Sequence, residues 1–192
     1  MTTTTRQRIL EEATRQLLDG GYDRFTVASV RDALGLSSGS MFHAFPSKAA
    51  LAAEVYVAGM IRYQQAAIDS MAGRDPHSAI EGLVATHLSW VSDHRRLARL
   101  LFSTQPSDVA EAAAPALAEA NQGFFKVVAD LMAEAAAAGL AAPMPVAVAH
   151  SLVIGPAQQY CRRWTRGDVS VEPRSLIALY QAAALQALRS TT

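Results

Sequence analysis

Cysteine is almost missing: Cys161 is the only one in 192 residues. One thiol cannot build a disulfide framework within the chain or a cysteine-based zinc site, which fits a reducing cytoplasm. Net charge is missing too. Lys+Arg and Asp+Glu both number 17, which argues against a protein that coats nucleic acid by bulk charge but leaves room for a local basic patch. Long apolar runs are also absent; the longest are alanine-rich and well short of the ~18 residues that a membrane span needs. Met1 to Thr5 are polar and lead straight into a charged amphipathic segment, with no apolar signal core. The expectation is a soluble, cytoplasmic protein without a membrane partner. Eleven glycines and eight prolines are too few and too aperiodic for a collagen-like or linker-rich chain.

Catalytic patterns are lacking as well. The histidines are 43, 77, 87, 94 and 150, and no two have the His-x-x-x-His spacing of a helical metal site. There is no P-loop and no Gly-x-Gly-x-x-Gly. Cys161 has no evident histidine partner and reads as a buried, idle thiol, although Arg162 and Arg163 flank it. No catalytic residue, metal or cofactor is expected.

What the chain does have is helix-forming sequence. Apolar residues make up 51% and charged residues 18%, and 38 residues are alanine, so the class is globular and all-α. Ile9, Leu10, Ala13, Leu17 and Leu18 recur at helical spacing over Arg6–Asp19, and Gly20-Gly21 stops that helix. Thr26 caps a short helix, Val27–Leu34, which Gly35 ends. Ser37 or Ser38 caps a third, to about Ala44. Phe45-Pro46 breaks the chain, and Ser47 caps a long fourth helix to about Ala72, without a capping box because Ala50 replaces Glu. Gly73-Arg74-Asp75-Pro76 reads as a polar boundary. Helices are then expected over Ala79–Val91 and Arg95–Phe102. An alanine-rich stretch opening at Gln105-Pro106-Ser107 should reach Ala138, kinked or divided at Pro115. Val146–Trp164 follows, bent at Gly155-Pro156, and Arg174–Leu188 comes last. The alanine runs at 112–114 and 135–138 are assigned no role, and no repeat period marks a solenoid.

Val27 to Ala44 carries the chemistry. Gly35 makes a tight turn between two short helices, Val30, Leu34 and Leu36 can bury between them, and a serine caps the second. This is a helix-turn-helix pattern. The second helix opens with the small residues Ser38, Gly39 and Ser40, which let its positive end approach a DNA backbone. Ser40 and His43 can bond a phosphate or a base edge. Phe45 is expected in the core, and Phe42 is open between core and contact. Arg6 and Arg8 are open between a DNA-reaching arm and a frayed terminus, and Arg31 could flank the backbone.

The string from Thr26 to Lys48, with its aromatic-His-x-Phe-Pro-Ser-Lys ending, resembles the TetR family of bacterial regulators. The resemblance implies an N-terminal three-helix DNA-binding domain, residues 1–48, and a C-terminal helical domain for ligand binding and dimerisation, residues 49–192, with helix 48–72 connecting them. It implies DNA contacts from Thr26, Ser37, Ser38, Gly39, Ser40, Met41, Phe42 and His43, and a phosphate grip by Lys48. Two positions depart from the family pattern. Phe42 stands where Tyr is frequent, so a hydroxyl is lost, and Ser40 stands where Thr is frequent, so a methyl is lost.

In the second half, His87, Trp90, Phe102, Phe124, Phe125, Met132, Gln158, Gln159, Tyr160 and Trp164 are candidates to line a cavity among small alanines, against the alternative that the aromatics fill the core. Arg95, Arg96 and Arg99 read as a solvated helix face that could also attract an acidic ligand. The last two helices carry more apolar surface than one face needs: Leu152, Ile154, Leu176, Leu179, Tyr180, Ala183, Ala184 and Leu188. The pattern predicts a four-helix bundle with a second copy, its interface built on Leu152, Leu176, Leu179, Tyr180 and Ala183. The expected partners are a double-stranded operator, a second subunit and an unidentified small molecule. The alternative is a DNA-binding regulator whose C-terminal helices take a protein partner and no small ligand.

Overall fold

The computed structural model describes residues 4–189. The polar opening Met1–Thr3 lies outside them. Among the described residues the chain is all helix and turn, with no strand: α1 (Thr5–Arg24), α2 (Val27–Leu34), α3 (Ser38–Ala44), α4 (Lys48–Met71), α5 (Pro76–Asp93), α6 (Arg95–Leu101), α7 (Ser107–Ala137), α8 (Val146–Arg166), a single 3₁₀ turn (Pro173–Leu176) and α9 (Ile177–Arg189). No helix of the described residues is long and apolar enough to cross a membrane.

The short helices end where local chemistry dictates. The Thr26 side chain accepts the Ser29 N–H, and Ser37 accepts that of Ser40. Gly35 takes φ 64° and closes α2, a left-handed conformation that costs glycine nothing. Ser47 accepts from Ala50 at the head of α4. Asp75 caps α5 and Pro76 occupies its first position. The expected boundary at 73–76 is therefore the start signal of a helix that begins three residues before the expected Ala79.

Other differences have physical reasons. Gly21 breaks α1 as expected, but with φ 70° and ψ 177°, after which one more helical turn reaches Arg24. Pro115 and Pro156 sit inside α7 and α8 without ending them. Each loses one backbone bond that the rest of a long helix outweighs.

The described residues divide into two compact units. One reaches Met60 and takes in Ser103–Ala118; the other is Ile61–Phe102 with the chain from Glu119 on. The first is cored by Ile9, Leu17, Phe25, Val30, Met41, Phe45 and Leu51. The second is cored by Ile80, Leu83, Leu88, Ile154, Ala184 and Leu188, with α5, α8 and α9 packed on one another. Helices α4 and α7 each give their first part to one unit and the remainder to the other.

Candidate functional site

In the first unit, α2 and α3 present a polar surface. Thr26, Ser37, Ser38, Gly39, Ser40, Phe42 and His43 are all exposed. Phe42 is 59% exposed, an unusual place for a benzyl ring. Phe45, one turn on, is buried as expected. Met41 is a correction: its side chain has no exposure. It points inward with Phe45, four residues later on the same face of α3, and leaves the contact set.

The hydroxyls are ordered. Ser37 and Ser40 lie 3.0 Å apart, and Arg31 donates to Ser38 at 3.1 Å while pairing with Asp32 at 2.6 Å. Lys48 is half-buried, its ammonium 4.1 Å from the centre of the Tyr22 ring. Tyr22 donates to Asp108 at 2.6 Å. Burial and that carboxylate push its phenol up to about 12.

Arg6 is a second correction. It is neither a free arm nor a frayed end. It donates to the Ala44 carbonyl at 2.8 Å, pairs with Glu54 and lies 4.3 Å over the Phe45 ring. It ties the start of α1 to the end of α3 and to α4. Thr4 caps α1 with a capping box to Gln7, which fixes the terminus that would otherwise fray.

The second unit separates the expected ligand residues into different places. His87, Trp90 and Phe102 gather around Tyr63. Tyr63 meets Trp90 and Phe102 edge-on, both at 5.3 Å, and its hydroxyl lies 2.7 Å from His87 Nδ1. His87 is fully buried and its Nε2 has no partner. Burial and the neighbouring His150 push its imidazole down to about 3, so the ring is neutral near pH 7. Stranding such a group costs about 1–3 kcal/mol. Phe124 and Phe125 instead pack edge-on against His150, at 5.9 and 5.1 Å.

Met132 is the one expected ligand residue that lines a pocket of about 430 Å³, with Ala129, Ala136, Ala142, Met144, Val146, Ala149 and Leu188 among its other walls. Its volume falls within the range of small-molecule sites. Ala136 belongs to an alanine run given no role on sequence grounds; its short side chain is what leaves the space. Gln158 is half-buried and joins none of these groups. Tyr160 donates to the Val171 carbonyl at 2.8 Å and lies near Tyr180. Cys161 is buried, its thiol pushed up to about 12 by desolvation. Among the described residues no cluster of ligating side chains could hold a metal.

On α9, Leu179 is 64% exposed, Ala183 is exposed and Tyr180 is half-buried, as are Leu176 at the end of the 3₁₀ turn and Leu152 on α8. Ile154, Ala184 and Leu188 turn inward to this chain's own core, which corrects the wider apolar face read from sequence. Val148 and Val171, which sequence reasoning passed over, are exposed as well. Tyr63 was missed too; only the spacing of an aromatic inside α4 pointed to it.

Residues 9–55 match the model of the family described as bacterial regulatory proteins, tetR family. No protein of curated function matches the chain by sequence. Solved structures match along nearly its whole length. A bacterial regulatory protein of the tetR family from Rhodococcus RHA1 is 20% identical, with 100% of both chains covered and a TM-score of 0.71. The transcriptional regulator FadR from Bacillus subtilis, in complex with stearoyl-CoA, is 14% identical over 94% of this chain and 97% of that one, at 0.73. The ketosteroid transcriptional regulator KstR2 of Mycobacterium tuberculosis is 18% identical over 100% and 98%, at 0.65.

Proposed function

We propose that this chain, whose residues 9–55 are those of the tetR family of bacterial regulatory proteins and whose whole length has the fold of its solved members, is a ligand-responsive transcriptional repressor and not an enzyme. As a homodimer it binds a near-palindromic operator, with α3 of each subunit in a major groove. A small, mainly apolar molecule entering the second unit changes that binding. The observation that carries the reading is the exposed set Thr26, Ser37, Ser38, Gly39, Ser40, Phe42 and His43 on two capped helices. It offers hydroxyl donors, an exposed imidazole and an exposed ring at the start of α2 and along α3.

Dimerisation supplies what one copy lacks. A chain of zero net charge makes few phosphate contacts, so two halves are needed for useful affinity. Two recognition helices then sit roughly 34–36 Å apart, or at a longer multiple. The exposed Leu179 and Ala183 with the half-buried Leu176, Tyr180 and Leu152 form the proposed interface. An apolar pocket of about 430 Å³ favours a small ligand over a protein partner, and FadR and KstR2 carry names or complexes of apolar acyl and steroid chemistry. A ligand shifts DNA binding only as far as it prefers one state of the protein. The long helices α4 and α7, each shared by both units, are the proposed route of coupling.

The test is fluorescence anisotropy with a duplex selected from a random pool. The double variant His43→Ala, Lys48→Ala should lose binding while sedimenting as the wild-type dimer. Binding left unchanged refutes the assignment of the interface.

A further inference from the structure

We propose that His87 Nε2–H is the recognition point of an effector site behind Trp90, selecting an uncharged molecule with a hydrogen-bond acceptor, such as a ketone, ester or amide carbonyl, on an apolar body. This rests on the ligand-responsive reading above and names the ligand class.

The direction of the buried bond fixes which group is on offer. The Tyr63 hydroxyl and His87 Nδ1 are 2.7 Å apart, and either could donate. If Nδ1–H donated, the phenol proton and the Nε2 lone pair would both be stranded. If the phenol donates, only Nε2–H is stranded. The second arrangement leaves one unmet group instead of two and presents a donor. A donor calls for an acceptor on the ligand.

The surroundings set the charge. His87 meets the rings of Tyr63 and Phe102, at 5.7 and 5.6 Å, and among the described residues the titratable group that lowers its pKa is His150. A carboxylate brought here would shed its water for a single neutral donor, and an ammonium would find no acceptor at all. An uncharged carbonyl gives up little and satisfies the imidazole.

The way in is also built. Trp90 lies three residues after His87 on α5. Its inner side meets Tyr63 at 5.3 Å and Phe102 at 6.4 Å. The same ring helps wall a shallow surface groove of about 280 Å³ with Ala85, Ser89 and Asp93, where His94 stacks on it at 4.6 Å. Trp90 thus stands between solvent and the buried rings. An outward turn of Trp90 would be needed to join the groove to His87, and the aromatic walls would then supply contact area for an apolar body.

The experiment uses the full chain without DNA and three matched probes: 2-octanone labelled with ¹³C at its carbonyl, octanoate and octylammonium. By calorimetry the ketone should bind at least about tenfold more tightly than either ion, and His87→Phe should remove most of that advantage. By infrared spectroscopy on the unaltered protein, the bound carbonyl band should fall below its position in an alkane solvent. That reading stands even if the variant fails to fold. A band at the alkane position, an ion bound as tightly as the ketone, or no ketone binding overturns the proposal. A ketone bound in the expected way that leaves operator occupancy untouched in a separate anisotropy titration with DNA refutes the regulatory reading and leaves the site standing.

Discussion

Acidification should loosen this fold through His87, and the size of the effect follows from its burial. In an unfolded chain a histidine titrates near 6.5; in the folded protein His87 is held down at about 3, first by desolvation and then by His150. Between those values the unfolded chain binds a proton that the folded chain refuses. Stability therefore rises with pH across the window: the contribution is intact above about 6.5 and is lost as pH falls towards 3. At pH 4.5, two units below the unfolded value, the loss is about 2–3 kcal/mol at about 1.4 kcal/mol per unit. His150, lowered by its own burial, adds in the same direction. The assay is denaturant unfolding at pH 7, 6, 5 and 4.5 at one protein concentration, for wild type and His87→Phe. The variant strands the Tyr63 hydroxyl but removes the unpartnered Nε2–H, so these two costs of about 1–3 kcal/mol each offset and its stability at pH 7 should lie near that of wild type. Its stability should then fall by about 2 kcal/mol less over the range, because carboxylates common to both proteins cancel. Parallel curves would refute the reasoning.

Gly82→Ala should cost about 1–3 kcal/mol by thermal unfolding despite the better helix former, because a Cβ there would lie 2.6 Å from the Ser70 carbonyl oxygen, a backbone atom that cannot swing aside. Arg6→Met should lower the stability of the first unit by about 1–2 kcal/mol, read by urea unfolding, through loss of the Ala44 and Glu54 partners. Lys48→Ala should reduce the slope of log affinity against log salt by about 1 while leaving sequence preference unchanged in anisotropy titrations. Leu179→Glu should shift the sedimenting species from dimer towards monomer, since it sets a charge in the most exposed apolar position of α9.

The helix-turn-helix was legible because its signals are local. Thr26, Gly35 and Ser37 each act on a neighbour within three residues, and α2 and α3 follow from them. Helices are expected through both prolines, with a kink or division at Pro115 and a bend at Pro156, and the division is what the structure rules out. Pro115 and Pro156 lie inside long helices whose packing outweighs one missing bond, and no local rule carries that information. Asp75-Pro76 was read as a break, although an acidic cap followed by proline equally announces a helix start. Burial on α3 was the harder matter. Met41 and Phe42 are adjacent and both apolar, and only the packing of α3 against its neighbours decides that one goes in and the other out. The distant partners were out of reach. Nothing in the sequence joins Arg6 to Glu54 or Tyr63 to His87, because such pairs depend on how helices far apart in the chain come together.

Selection of duplexes from a randomised pool by the purified protein, followed by sequencing of the retained DNA, tests the proposed groove-reading dimer with the fewest intermediate steps. The retained sequences should converge on two inverted half-sites at a fixed spacing of about one helical turn or a multiple of it, and the His43→Ala, Lys48→Ala protein should enrich nothing. A pool that stays random under the wild-type protein, or converges on a single half-site with no inverted mate, would contradict the account.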